Sequence, residues 1–454
     1  MHISLNPYTR EIIARYELYS DTDIERTISQ CNQAFKQLQK VNVKDRAQIF
    51  HQLTSILENR KIEFAVLITD EMGKPFAESV GEIEKCAWLC RHFSDPENIT
   101  VEDELLHIDG QQTKLTYEPL GVIFAVMPWN FPFWQVLRFA VPNVAAGNTC
   151  VMKHAPNVSG CSLAIERLFL EAGFPKGTFS SLLIDIPQVE KVIGHRLIKG
   201  VTLTGSASAG KSVAQLAGRY AKKCVLELGG SDPLIVFADA DIEKSCSTGV
   251  RSRMLNAGQV CIAAKRFIVH ETIFERYVEC FKDQTKLLRL GNPMLEATNI
   301  GPMARPDLVQ QIEKQVNDSV SMGARVVLGA KRWEHHEGFY EPTILTDISA
   351  DMPVFKEETF GPVAIFIPFT DTEEAIRIAN SSLFGLGAGL WTSDMAKADY
   401  VANRIEAGAV FVNSMVRSDP RLPFGGCKGS GYGRELHKAG MKEFMNLKTI
   451  QFST

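Results

Sequence analysis

Residues 121–132 read Gly-Val-Ile-Phe-Ala-Val-Met-Pro-Trp-Asn-Phe-Pro, an apolar run from Val122 to Val126 stopped by Pro128. A short apolar run bounded by turn residues reads as a buried strand. Outward from it, helix and strand patterns alternate. Phe133 to Ala146 is helical, Thr149 to Met152 is a strand, and a helix from about Ser159 to Ala172 ends at Gly173 with Pro175 beyond it. Ser180 to Ile184, Gly200 to Leu203 and Cys224 to Leu228 read as further strands, with a helix from Lys211 to Ala221 between the last two. Strands separated by helical segments predict an α/β fold, a parallel sheet with helices on its faces. Ligands on such sheets bind beyond the carboxyl ends of the strands.

A second α/β region begins after Gly229-Gly230, at Pro233 to Phe237. It continues through the strand Arg266 to Val269, a helix from about Phe274 to Leu288, and strands at Arg325 to Leu328, Val363 to Phe366 and Ala409 to Phe411. Before the first sheet, residues 21–95 read as helices. Asp21 or Asp23 is the expected first cap, a second helix runs from about Val43 through Ile62 to Met72, and a third follows Gly73-Lys-Pro75 to His92. Asp109-Gly110 between His107 and Lys114 predicts a hairpin, a plausible oligomer contact. The tail, Lys448 to Phe452, reads as a strand that could join a partner's hairpin.

The chain has 454 residues, enough for two or three domains. Its net charge of −4 argues against a nucleic-acid partner. The start has no basic segment followed by an apolar core, and no apolar run reaches membrane-spanning length, so neither a secretory signal nor a membrane anchor is expected. Ten cysteines without a C-x-x-C pair predict free thiols in a reducing cytoplasm, with no metal site.

Three motifs can carry chemistry. Asn256-Ala-Gly-Gln-Val-Cys261 presents a thiol among small residues; it is a nucleophile only with exposure and a lowered pKa, and an inert buried cysteine otherwise. Asn130, between Pro128 and Pro132, is held at a strand end, where its amide can serve an oxyanion or an Asx turn. Glu227, between Leu226 and Leu228, suits a general base of raised pKa, or a salt-bridged strand end. A different class is also open: Gly205-Ser-Ala-Ser-Ala-Gly-Lys-Ser212 matches a phosphate loop, with Asp239 ending an acidic strand, as in a nucleoside triphosphatase.

Six ordered motifs then mark a resemblance. Residues 128–132 (PWNFP), 203–206 (LTGS), 226–230 (LELGG), 258–261 (GQVC), 357–363 (EETFGPV) and 423–435 (PFGGCKGSGYGRE) resemble the aldehyde dehydrogenase superfamily over nearly the whole chain. Lys153-His-Ala-Pro-Asn, Gly301-Pro-Met-Ala-Arg and Ser418-Asp-Pro resemble its succinate-semialdehyde dehydrogenases. The resemblance implies a Rossmann-type cofactor domain at 1–99 and 119–229, a second α/β catalytic domain at 230–430, and a small β oligomerisation arm at 100–118 and 440–454 of a homodimer or homotetramer.

It further implies NAD(P)-dependent oxidation of a small aldehyde, most directly succinate semialdehyde. Glutarate semialdehyde or a broad range of aliphatic aldehydes is the alternative. Cys261 would form a thiohemiacetal and then a thioester. Asn130 and the Cys261 backbone N–H would hold the oxyanion, and Glu227 would activate water. Members that pass the acyl group to coenzyme A do not keep that base, so a free acid is expected. Trp129, Gly205 and Ser206 would meet the dinucleotide phosphates, Lys153 the adenosine ribose, and Glu358 with Phe360 the nicotinamide ribose. Arg138 and Ser418 would grip the substrate carboxylate between the apolar walls Trp134 and Phe424, with Arg417 and Arg421 adding positive potential.

The chain departs from the pattern at several positions. Pro156 stands where many NAD-using relatives carry a ribose-binding glutamate, so NADP is expected to be accepted. Leu255 stands where some have a second pocket arginine, and Ala263 where some have a second cysteine, so no redox-switching disulfide is expected. Phe139 replaces a lysine that partners the Glu435 position elsewhere, which puts a Glu435 proton relay in doubt.

Overall fold

A computed structural model of the chain describes residues 1–452. Its first sheet has the strand order Gly431–Tyr432, Lys223–Glu227, Ile198–Thr204, Val122–Val126, Thr149–Lys153, Phe179–Ser181, parallel except for the first pairing. The chain starts in the middle at Val122–Val126, moves outward to Phe179–Ser181, then returns to the other side at Ile198–Thr204. The direction of winding therefore reverses between Val122–Val126 and Ile198–Thr204, the crevice where doubly wound sheets take ligands. The loop carrying Trp129 and Asn130 leaves one lip of that crevice, and Gly205-Ser206 leaves the other.

The second sheet has the order Arg325–Leu328, Thr343–Thr346, Val363–Phe369, Ala264–His270, Asp232–Val236, Gly387–Trp391, Ala409–Val412, parallel except at Arg325–Leu328. Cys261 sits just before the amino end of Ala264–His270, and Glu227 ends the adjoining edge of the first sheet. Trp134–Ala145, at the heart of the molecule, is buried at every position. Even its polar residues, Gln135, Arg138 and Asn143, are buried, as suits a core helix rather than a surface one.

Several local expectations are corrected. The first helix, Asp21–Leu38, is capped by Ser20, whose hydroxyl accepts the Asp23 N–H while the Asp23 carboxylate accepts the Ser20 N–H. Asp23 thus occupies the reciprocal position of a capping box. The expected helix from Val43 to Met72 is two, Val43–Asn59 and Lys61–Met72, broken at Arg60. Leu57 and Phe64, both buried, are seven residues apart, so the apolar period runs unbroken across the break and conceals it. Several helices carried no readable expectation, among them Ile186–Gly194, Ile242–Met254, Pro306–Ser321 and Thr372–Asn380. The strand Gly387–Trp391 was also missed, because its glycines hide the β pattern. A side chain at Gly387 would stand 2.6 Å from Asp232 Oδ2, so packing demands the residue that obscures the strand.

The hairpin forms, Glu104–Ile108 with Gln111–Pro119, around Asp109 (φ 51°) and Gly110 (φ 78°). Two positive φ angles suit the right-handed twist of a tight hairpin. The tail does not wait for a partner. Met445–Phe452 pairs antiparallel with this chain's own Gln111–Pro119, from Met445 opposite Pro119 to Phe452 opposite Gln112. No helix among the described residues is long and apolar enough to cross a membrane.

Candidate active site

The loop before Cys261 is strained and held from several directions. Asn256 and Ala257 both have φ 52° and Gly258 has φ 74°. A left-handed non-glycine residue costs about 1–2 kcal/mol, so such a run persists only where its surroundings over-determine it. Glu78 Oε2 accepts the Asn256 N–H at 2.8 Å, and the Asn256 side-chain amide donates to the Asn130 carbonyl at 2.9 Å. Gln259 donates to the Asn256 carbonyl at 3.0 Å and accepts the Ala304 N–H at 3.0 Å. Buried Arg253 donates to the carbonyls of Gly258 and Gly361. A side chain at Gly258 would collide with Gly361, which ties the cysteine loop to the segment 357–363 sterically. Lys265 Nζ completes the brace, donating to the Val260 carbonyl at 3.0 Å and the Cys261 carbonyl at 2.7 Å.

Cys261 opens onto a cavity of about 1250 Å³, lined also by Phe131, Trp134, Arg138, Ser418 and Phe424. Burial pushes its thiol up to about 11, against the pull of Arg138 and Lys265. A thiolate therefore needs help, from a substrate or from a nearby charge. Asn130 shares the cysteine's own loop network: its Nδ2 donates to the Gln259 carbonyl at 2.9 Å, leaving that amide a second hydrogen. Glu227 is buried and neither carboxylate oxygen has a hydrogen-bond partner. Burial first, and Glu435 second, raise its pKa well above the usual carboxylate range, with Arg138 and Arg434 opposing. It is not among the cavity-lining residues; its Oε1 lies where a side chain at Gly425 would come within 2.8 Å.

The residues expected at the dinucleotide fall around the switch point of the first sheet. Trp129 and Phe360 meet edge to face with ring centres 5.9 Å apart, and Arg305 lies 5.5 Å over Trp129. Glu358 accepts the Gly230 N–H at 3.0 Å and lies 3.6 Å from Lys265 Nζ. A side chain at Gly229 would collide with that carboxylate. The Gly205 N–H donates to the Glu227 carbonyl at 2.9 Å, and Ser206 caps the helix Ala207–Arg219. That helix N-terminus, beside the switch point, suits an anion. Lys153 ends the neighbouring strand, opposite Val126 in register, and burial lowers its pKa. His154 braces the Trp129 loop: its Nε2 is 3.0 Å from the Pro132 carbonyl, and burial lowers its pKa to about 4, so the ring is neutral. The groups present, donors at a helix N-terminus and a lysine and an accepting carboxylate, fit a dinucleotide's phosphates and ribose hydroxyls.

The phosphate-loop alternative is overturned here. The helix begins at Ala207, so Ser208 to Ser212 already lie within its turns, and the Ser212 hydroxyl donates to the Ser208 carbonyl at 3.1 Å. No open loop is left to wrap a triphosphate. Asp239, the supposed magnesium ligand, accepts from Thr392, Ser393 and the Asp394 N–H.

At the far wall the structure regroups the expected residues. Arg138 is ion-paired with Glu435, and its guanidinium lies 4.3 Å over the Phe424 ring. Burial opposes its charge while Glu435, then Glu227 and Cys261, favour it. Glu435 is thus engaged through Arg138 rather than through the absent lysine. Arg421 does not add free positive potential: it is bound to Asp419 at 2.7 Å. Ser418 accepts from Lys85 Nζ at 2.8 Å, and that ammonium lies 4.2 Å over Trp134. Lys85, Arg253 and Lys265 were missed from the sequence, because a lone cation in a helix or strand carries no local signal of the loop it will meet.

A dinucleotide-type crevice that opens beside a braced thiol fits an oxidoreductase. The chain belongs to the aldehyde dehydrogenase family, whose model matches residues 2–450. Its relatives are specific. A Synechocystis sp. protein named as a probable NADP(+) succinate-semialdehyde dehydrogenase is 42% identical, over 98% of each chain. The Escherichia coli NAD(P)+ succinate semialdehyde dehydrogenase Sad is 42% identical, over 99% of this chain and 97% of its own. The crystal structure of the Streptococcus pyogenes succinic semialdehyde dehydrogenase with NADP+ superposes with a TM-score of 0.97 at 35% identity, over all of both chains.

Proposed function

We propose that the protein oxidises succinate semialdehyde to succinate with NADP or NAD. The observation that carries this is the shared cavity: Cys261 and the cationic end of the pocket, Arg138 and Lys85 with Ser418, line one space. An aldehyde with a carboxylate at its other end offers one group to each. Relatives at 42% identity bear that activity in their names.

In this reading the Cys261 thiol releases its proton to solvent, the sulfur adds to the aldehyde carbon to form a C–S bond, and the carbonyl oxygen becomes an oxyanion. The free hydrogen of the Asn130 amide and the Cys261 backbone N–H receive that charge, an interaction stronger in the transition state than in the ground state. Bound nicotinamide supplies the hydride acceptor that turns the adduct into a thioester. Trp129, Gly205, Ser206, Lys153, Glu358 and Phe360 are the residues that would hold that cofactor. Glu227 takes a proton from water, the hydroxyl adds to the thioester carbon, and the C–S bond breaks to give succinate and the thiol. Its raised pKa, caused by burial, suits a base that works near neutrality. Splitting one hard step into two is the gain of the covalent route.

Residues 1–99 with 119–229 act as the cofactor domain, 230–430 as the catalytic domain, and 100–118 with 440–454 as an arm that joins a homodimer or homotetramer. Exposed Leu105, Leu447 and Phe452 on that three-stranded sheet support the arm. Ten free thiols support a reducing, cytoplasmic setting.

The test is nicotinamide reduction with succinate semialdehyde, with NADP and NAD in parallel, on the wild type and Cys261→Ser. The wild type turns over and the variant does not. Turnover retained by Cys261→Ser overturns the mechanism, and a wild type inert toward the substrate overturns the function.

A further inference from the structure

Of the three arginines expected at the carboxylate end of the cavity, two are ion-paired and the third, Arg417, lines the cavity but is exposed to solvent. Buried Arg138 is neutralised by buried Glu435, and Arg421 by Asp419. Glu82, one turn before Lys85 on the helix Phe76–Phe93, is also taken: it binds Lys74 and accepts the N–H groups of Phe133 and Trp134, each at 2.9 Å. Lys85 is left over. Its ammonium lines the cavity over the Trp134 ring and donates to a neutral group, the Ser418 hydroxyl. Among the described residues no carboxylate lies within ion-pair distance of it. Lys85 is half-buried, and an ammonium partly withdrawn from water without a counter-ion favours an anion beside it. Ser418 accepts from Lys85, which leaves its own proton to donate. Two donors side by side match the two oxygens of a carboxylate.

We propose that Lys85, with Ser418, is the direct anchor of the substrate's distal carboxylate, and that Arg138, bound to Glu435, positions the wall behind it. This rests on the proposal that the substrate is a carboxylated aldehyde. Lys85 replaces the second cation, whose expected position, Leu255, is apolar and lines the same cavity. The anchor is sensitive to pH. Burial, then Arg138, lower the Lys85 pKa to about 8; Glu82 and Cys86 on its own helix and Asp419 on the facing loop oppose this. The ammonium is charged below that value and lost above it, while the substrate carboxylate stays ionised throughout.

The experiment compares kcat/KM for succinate semialdehyde and for butanal, its uncharged four-carbon counterpart. Wild type, Lys85→Met, Lys85→Arg and Arg138→Ala are assayed from about pH 7 to about pH 9. Lys85→Met is expected to lower the succinate semialdehyde-to-butanal ratio about 10- to 100-fold, the range of a charge-assisted hydrogen bond, and mainly through KM. Lys85→Arg restores the ratio. In the wild type the ratio falls as pH rises through about 8, and in Lys85→Arg it stays flat. Melting temperatures of the variants identify any that fail to fold, and rescue by Lys85→Arg separates charge from packing. A ratio unchanged in Lys85→Met but collapsed in Arg138→Ala overturns the Lys85 assignment and leaves the function standing. A wild type without preference for the carboxylated aldehyde overturns both.

Discussion

Replacing Glu227 with glutamine should separate the two halves of the reaction. The carboxyl is buried, without a hydrogen-bond partner on either oxygen, and its pKa is raised by burial and by Glu435. Burial therefore favours the neutral acid, which glutamine matches in shape and charge. A folded-state pKa above the unfolded value means that the native state binds the extra proton. Wild-type stability at this site is full below the unfolded pKa and declines as pH rises toward the folded one, by about 1.4 kcal/mol for each pKa unit separating them. Glu227→Gln should then melt no lower than wild type, and its advantage should grow with pH. Catalysis should behave oppositely. The thiol, the amide and the cofactor residues are untouched, so a first turnover should release one reduced nicotinamide per Cys261. Hydrolysis then lacks its base, a contribution of about 10²–10⁴ in rate, or roughly 3–5 kcal/mol. Stopped-flow absorbance should show a burst followed by a slow steady state. A variant that loses the burst together with the steady state would show that Glu227 acts before the thioester. One that turns over within a few-fold of wild type would remove it as the base.

Two further outcomes follow from the same geometry. Pro156→Glu places a carboxylate near Lys153 at the strand end, where it should repel a 2′-phosphate and lower kcat/KM for NADP about 10-fold or more against NAD; equal effects on both cofactors would move the phosphate elsewhere. In the free enzyme, with the thiol held up to about 11 by burial, alkylation of Cys261 by iodoacetamide should climb without a plateau through about pH 9. Lys265→Met, which removes a cation that favours the thiolate, should slow it at every pH, and a plateau near neutrality would refute the burial argument.

Much of the fold was legible because its signals are local. The run Val122–Val126 and the strands and helices after it announce a parallel sheet through short apolar stretches and the glycines and prolines between them. Where a local signal was ambiguous, tertiary contacts decided. The strand Gly387–Trp391 reads as a loop until Asp232 and Val416 are seen crowding Gly387. The phosphate-loop pattern at Gly205 reads as a triphosphate site until the helix is seen to start at Ala207. The tail strand reads as a gift to a partner until it closes on its own hairpin.

The sequence by itself determined the sheet-and-helix order, the thiol at Cys261, the amide at Asn130, the carboxyl at Glu227 and the glycines at 229, 230, 258 and 425 that let them approach. These lie in contiguous motifs, where neighbours a few positions apart set the backbone. Only the tertiary structure decided which charges meet. Lys85 reaches Ser418 across 333 positions, Arg138 meets Glu435 from a separate element, and Arg253 and Lys265 turn inward to brace the cysteine loop. The energy of a buried charge depends on its burial and on its partner, and both are properties of the packed chain rather than of any stretch of it.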